Sequence, residues 1–153
     1  FVKDLSDAIS RDGAAFGYIK TFGGRRCRFN KWEIAEWSAG KFTPPMSKPD
    51  AEAAYFDKYP EATKANIRRA YTYKALNKLI QGSAADMTKQ SMVDLYKEGI
   101  VPHIQVHDEL DISIEKGSNQ HKKIIEIMEN AVKLKIPNKV DYESGNNWGE
   151  ING

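Results

Sequence analysis

Apolar and polar residues alternate from Ile104 to Ile114, and the alternation turns over a polar tip. Ile104 and Val106 precede the tip; Leu110, Ile112 and Ile114 follow it. A period of two marks half-buried strands, and two such runs around a short polar break predict a β-hairpin. The break carries His107-Asp108-Glu109 in place of the Asn-Gly or Asp-Gly that tight hairpin turns prefer. Adjacent carboxylates on one turn repel each other, a cost that a bound cation would remove. The competing reading is a solvated acidic turn.

The pattern elsewhere is mostly helical. Phe1, Val2, Leu5, Ala8 and Ile9 share one face of a helix over residues 1–11, with Gly13 as its stop. The β-prone runs Phe16–Phe22 and Arg25–Phe29 flank Gly23-Gly24, which predicts a second hairpin. Arg25, Arg26 and Arg28 suit its second strand either to track a phosphate backbone or to guard a sheet edge. In residues 30–60 the spacing of Trp32, Ile34, Ala35 and Trp37 predicts a short helical turn, followed by proline-punctuated loop and short helix. Those tryptophans either pack on the domain or stack on bases.

From Ala62 to Gly99 the helical period is kept, and Gln81-Gly82-Ser83 marks a kink or a close backbone approach. Asn77 and Gln81 are four apart, so their amides share a face that either reads the minor groove or meets solvent. Gly117-Ser118-Asn119 caps a further helix that buries Ile124, Ile125, Met128, Ala131, Val132 and Leu134 before Pro137. Val140–Ser144 alternates like a last strand, with Trp148 folded back on the core. The expected class is α+β: an antiparallel sheet with a central β-hairpin, packed against helices.

Composition narrows the picture. A chain of 153 residues supports one sizeable core, and 41% hydrophobic with 29% charged residues is globular composition. No apolar run approaches the roughly 20 residues of a membrane span. The single cysteine, Cys27, excludes an internal disulfide and a cysteine metal cluster and fits a reducing, cytoplasmic setting. The first residues lack an initiator Met and a signal pattern and read as mid-helix, so a longer parent protein is expected. The net charge of +2 is too small to point to nucleic acid by itself. Its distribution says more. Lys20, Arg25, Arg26, Arg28 and Lys31 form one basic group and Lys64, Arg68, Arg69, Lys74 and Lys78 another, while acids gather in residues 106–116 and near the C-terminus. That arrangement fits phosphate contacts beside a metal, and equally an ordinary mixed surface.

Two segments together carry a resemblance. Asn77-Lys78-Leu79-Ile80-Gln81-Gly82-Ser83-Ala84-Ala85-Asp86, followed after one helix by Ile104-Gln105-Val106-His107-Asp108-Glu109-Leu110, resembles the C-terminal palm of family A DNA polymerases, of the bacterial polymerase I and phage replicative type. Gly17–Thr21 with Gly24-Arg25-Arg26 resembles the family's preceding hairpin, and Gly145–Trp148 its C-terminal signature. On this resemblance residues 1–29 are a helix and basic hairpin, 30–72 an insertion-like excursion, and 73–153 the palm core.

The resemblance implies roles. Asp108 is the second of two palm aspartates holding a pair of Mg2+ ions that serve in-line nucleotidyl transfer. Glu109 is an auxiliary metal carboxylate, and His107 lies near the primer terminus. Gln81 and Asn77 contact the minor groove, Gln105 assists, and Arg25, Arg26 and Lys74 contact DNA. The implied partners are primer-template DNA, deoxynucleoside triphosphates and an upstream polymerase segment, with no membrane; for a phage enzyme the setting is the bacterial cytoplasm. The family's first metal aspartate and its basic fingers helix have no counterpart here, so the isolated chain is expected to be inactive. The family's basic residue eight before the glutamine is Tyr73 here, with Lys74 beside it as a substitute.

Two other classes compete. One is a non-catalytic nucleic-acid-binding or assembly module with a palm-like fold. The other is a metal-dependent phosphoesterase, against which stands the lack of a local second ligand set: His103 and His107 share a strand face, and Asp86 reads as a surface acid.

Overall fold

The computed structural model describes residues 17–35 and 44–151, a mixture of α-helices and short antiparallel sheets. The expected helix over residues 1–11, and Trp37, lie outside the described residues. Contacts group the chain into two compact units, Phe1–Gly82 and Ser83–Gly153.

In the first unit, β1 (Tyr18–Lys20) and β2 (Arg26–Arg28) pair antiparallel, with Ile19 opposite Cys27. The predicted turn joins them: Gly24 has φ 88°, and its N–H donates to the Thr21 carbonyl at 2.9 Å. The inner face, with Ile19, Cys27 and Phe29, packs on Ala75 and Leu79. Strands β3 (Trp32–Ile34) and β4 (Ile67–Arg69) pair antiparallel as a second ribbon. Helix α1 (Lys48–Lys58) lies against them and buries Ala51 beside Trp32, Ile34 and Ile67. Its start follows capping chemistry: the Ser47 hydroxyl accepts from the Asp50 N–H at 3.3 Å, and Pro49 fits the first turn.

This region corrects two expectations. Trp32 and Ile34 belong to a strand, because alternate residues there face one core, and Trp32 is packed rather than presented for stacking. The helix expected from Ala62 begins only at α2 (Ala75–Lys97). Residues 67–69 are drawn into β4 by long-range pairing, with Arg68 Nε donating to Glu33 Oε1 across the ribbon at 2.8 Å. A 3-10 turn over Thr72–Lys74 then leads into α2, after Tyr71 at φ 63°.

Helix α2 runs unbroken through Gly82. Of the two readings of that glycine, close approach is the one observed. A Cβ there would stand 2.9 Å from Thr21 Cγ2, and Arg25 Nη2 donates to the Gly82 carbonyl at 2.7 Å.

In the second unit the end of α2, the hairpin β5 (Ile104–Val106) and β6 (Glu109–Asp111), and helix α3 (Gln120–Asn130) share one core. Leu95, Ile100 and Ile124 are its buried centre, with Leu110, Ile112 and Ile114 against them. The β6 side of the predicted alternation is therefore inward, whereas Ile104 and Val106 on β5 are exposed. Helix α2 stops in a Schellman motif: the Ile100 N–H donates to Leu95 O and the Gly99 N–H to Tyr96 O, each at 3.0 Å. Lys123 bonds Glu98 at 2.6 Å and holds that carboxyl below its ordinary value, tying α3 to the end of α2.

Gly99 has φ 74°, and a Cβ there meets nothing within 4 Å. Gly99→Ala therefore adds backbone strain alone. Urea unfolding should show a lower midpoint at unchanged slope, equivalent to about 1–2 kcal/mol.

The C-terminal segment departs from expectation. Val140–Ser144 forms no strand; it is held by side-chain contacts to α3, with Tyr142 stacked on His121 at 5.0 Å and the Val140 N–H donating to Glu129 Oε1 at 3.3 Å. Trp148 opens a short helix, α4 (Trp148–Ile151), and is 51% exposed instead of folded onto the core. Helix α3 ends before Pro137, and Leu134 is exposed. Among the described residues the strands form three two-stranded ribbons in place of the single expected sheet. No helix among them is long and apolar enough to cross a membrane.

Candidate nucleic-acid and metal-binding residues

The hairpin β5–β6 pairs Ile104 with Asp111 and Val106 with Glu109, which leaves His107-Asp108 as a two-residue loop. His107 has φ 51°. A positive φ at the first loop position is the habit of type II′ turns, where glycine is usual. A histidine there carries roughly 1–2 kcal/mol of strain. The Gln105 amide donates to the His107 carbonyl at 2.5 Å and so braces the turn. His107, Asp108 and Glu109 are all exposed. Neither acidic side chain has a hydrogen-bond or ion-pair partner among the described residues.

The tip thus presents two carboxylates to solvent on a braced loop. Their oxygens are hard donors of the kind a divalent cation such as Mg2+ prefers. No group of three His, Cys, Asp or Glu residues gathers among the described residues. Two carboxylates are the right chemistry for such an ion and by themselves an incomplete ligand set.

In the first unit, Asn77 and Gln81 lie one turn apart on α2, and both are exposed. Lys74 stands at the start of this helix, its ammonium 5.1 Å from the Tyr71 ring centre and 5.6 Å from that of Tyr73. Arg25 reaches the same helix through the Gly82 carbonyl, one residue beyond Gln81. Arg26 lies over the Tyr18 ring at 4.8 Å. The predicted residues therefore fall into two sets: Gln105, His107, Asp108 and Glu109 on one hairpin, and Lys74, Asn77 and Gln81 along α2 with Arg25 anchored to it. Sequence reasoning missed the partner of Gly82. The glycine was a signal of close approach, but nothing along the chain points to Thr21 and Arg25, 57 residues away from it in the latter case.

A family model for DNA polymerase family A matches residues 1–150. The chain belongs to DNA polymerase family A. It is similar to a DNA-directed DNA polymerase of Pseudomonas phage M6, 35% identical over 153 residues, which is 100% of this chain and 18% of that protein. DNA polymerase I of Bacillus caldotenax is 41% identical over 91 residues, 54% of this chain and 10% of the relative. DNA polymerase I of Lactococcus lactis subsp. lactis is 28% identical over 159 residues, 97% of this chain and 15% of the relative. The chain thus spans less than a fifth of the length of these family A relatives, at most 18%.

Proposed function

We propose that this chain is the C-terminal palm portion of a DNA-directed DNA polymerase and contributes to template-directed nucleotidyl transfer. The observation that carries the reading is the exposed Asp108-Glu109 pair on the His107 turn, in a chain of family A. On this reading β5–β6 is the palm hairpin, residues 73–153 are palm core, 1–29 carry the basic hairpin, and 30–72 are an excursion beside it. Asp108 is a ligand of the divalent-cation site and Glu109 its auxiliary carboxylate. The other palm aspartate and the basic fingers helix come from polymerase sequence outside these 153 residues.

Mg2+, when bound, supplies charge that acidifies the primer 3′-hydroxyl and offsets the triphosphate. The protein's own share is placement. Asp108 keeps its carboxylate clear of competing partners, and Gln105 fixes the loop through the His107 carbonyl, with His107 beside the primer terminus. Asn77 and Gln81 donate amide hydrogens to minor-groove acceptors, which are nearly the same for every base pair. Arg25 holds the Gly82 carbonyl and so sets the helix that carries Gln81. Arg26 and Lys74 meet the DNA backbone.

With Mg2+, deoxynucleoside triphosphates and primer-template, the chain alone is expected to give no primer extension. Extension should appear once it is joined to a family A segment carrying the first aspartate and the fingers. Extension by the chain alone, or a joined protein that binds primer-template without extending it, overturns the reading; the second result leaves a binding module.

A further inference from the structure

We infer that Tyr71, Tyr73 and Lys74 form a stacking site for an unpaired nucleotide of a DNA strand at the start of α2. Tyr73 is 70% exposed and Tyr71 43% exposed, so both rings keep much of their surface in water. Lys74 stands within cation–π range of both, which places a positive charge among two aromatic faces. The surrounding sequence selects the occupant. Between Ala62 and Ala85 there are five basic residues and no Asp or Glu. Arg68 pairs with Glu33 and Arg69 lies over Trp32, whereas Lys64, Lys74 and Lys78 are exposed. A stretch that leaves Lys64, Lys74 and Lys78 exposed, with Glu33 taken up by Arg68, suits a polyanion. Exposed ring faces beside those cations suit the polyanion whose units have flat faces of their own, a single-stranded nucleic acid.

The position along the helix identifies which part of a DNA substrate reaches it. Tyr73 lies in the 3-10 turn ahead of α2, eight residues and roughly 12–13 Å before Gln81. If Asn77 and Gln81 follow the duplex, Tyr73 meets the DNA several nucleotides away from them, and a ring that takes an unpaired base there faces a strand that extends past the end of the duplex. This placement rests on the polymerase reading of Asn77 and Gln81; the stacking chemistry of the tyrosines does not.

The test uses the 153-residue chain and two fluorescent DNA probes, a blunt duplex and the same duplex with an unpaired 5′ template extension. By anisotropy, the wild type should bind the extended probe more tightly. Tyr73→Ala should weaken binding of the extended probe by about tenfold, leave the blunt duplex unchanged, and be rescued by Tyr73→Trp. Because Tyr73 is exposed, the thermal midpoint of the Ala variant should match the wild type. Equal loss on both probes, no preference for the extension, or no loss in the Tyr71→Ala/Tyr73→Ala double variant overturns the stacking site. Competition by polyglutamate as effective as by an oligonucleotide also overturns it, because charge alone then explains binding. Asn77→Ala and Gln81→Ala separate the two proposals. If they weaken blunt-duplex binding while Tyr73→Ala changes nothing, the stacking site falls and the polymerase reading stands. If the Tyr73 effect appears and theirs does not, the stacking site stands and the duplex reading falls.

Discussion

Asp108→Ala, made in a polymerase assembled around this chain, is expected to lower the rate of primer extension by about a thousandfold while primer-template binding is largely kept. The magnitude follows from the role. Charge stabilisation through a bound cation is worth several kcal/mol in the transition state, and each ~1.4 kcal/mol is a factor of ten in rate. Binding survives because DNA affinity comes mainly from contacts to phosphates and grooves made elsewhere. Folding survives as well, since Asp108 is exposed and without a partner among the described residues. Single-turnover extension and anisotropy on the same preparation check both halves. Extension retained within tenfold would remove Asp108 from the metal site. Glu109→Gln is the companion variant: as an auxiliary ligand it should raise the Mg2+ concentration needed for half-maximal rate and leave the saturated rate less affected.

How much of this was legible in the sequence depends on the range of the interaction that decides each element. Both β-hairpins were readable, because alternation and turn residues lie within a dozen positions of each other. The β1–β2 turn shows Gly24 at the positive φ its sequence calls for. The β5–β6 tip was located from pattern as well, but the positive φ of His107 was not, since glycine is the usual residue at that turn position. Residues 30–72 were misread for a different reason. The β3–β4 ribbon joins Glu33 to Arg68 across 35 positions, and helical spacing of small apolar residues gives no hint of that pairing. Tertiary pairing overrode local propensity. The Val140–Ser144 segment failed in the opposite sense. Its alternation is real, yet among the described residues no strand lies beside it, and contacts with His121 and Glu129 on α3 hold it instead. For the candidate site, residue types and spacing marked the acidic tip and the paired amides of Asn77 and Gln81 without choosing between a site and a solvated surface; their roles are what the family resemblance implies, and the bracing of the turn by Gln105 and of the helix by Arg25 is visible only in the fold.

Gly82→Val is expected to destabilise the protein by about 2–3 kcal/mol, because it drives a branched side chain into a space already occupied. The neighbour cannot yield easily. Thr21 is buried, its hydroxyl accepts the Arg25 N–H at 3.1 Å, and its Cγ2 would stand 2.9 Å from the new Cβ. Gly82→Ala sets two effects against each other. Alanine raises helix propensity by up to about 1 kcal/mol, while the added Cβ crowds Thr21 at about 1–3 kcal/mol. Overpacking should win, leaving a net loss near 1 kcal/mol. Thr21→Ser removes the crowding methyl, so Gly82→Ala should become neutral or stabilising in that background. Urea unfolding of the four proteins forms a double-mutant cycle, and a coupling of about 1 kcal/mol or more is the expected result. The functional consequence runs through Arg25: a hairpin pushed off α2 lengthens the bond to the Gly82 carbonyl and shifts Gln81 beside it. Primer-template affinity should therefore fall in Gly82→Val and recover with Thr21→Ser in the Gly82→Ala protein. Additive losses would instead place the cost in the helix alone, and Gly82 would lose its packing reason.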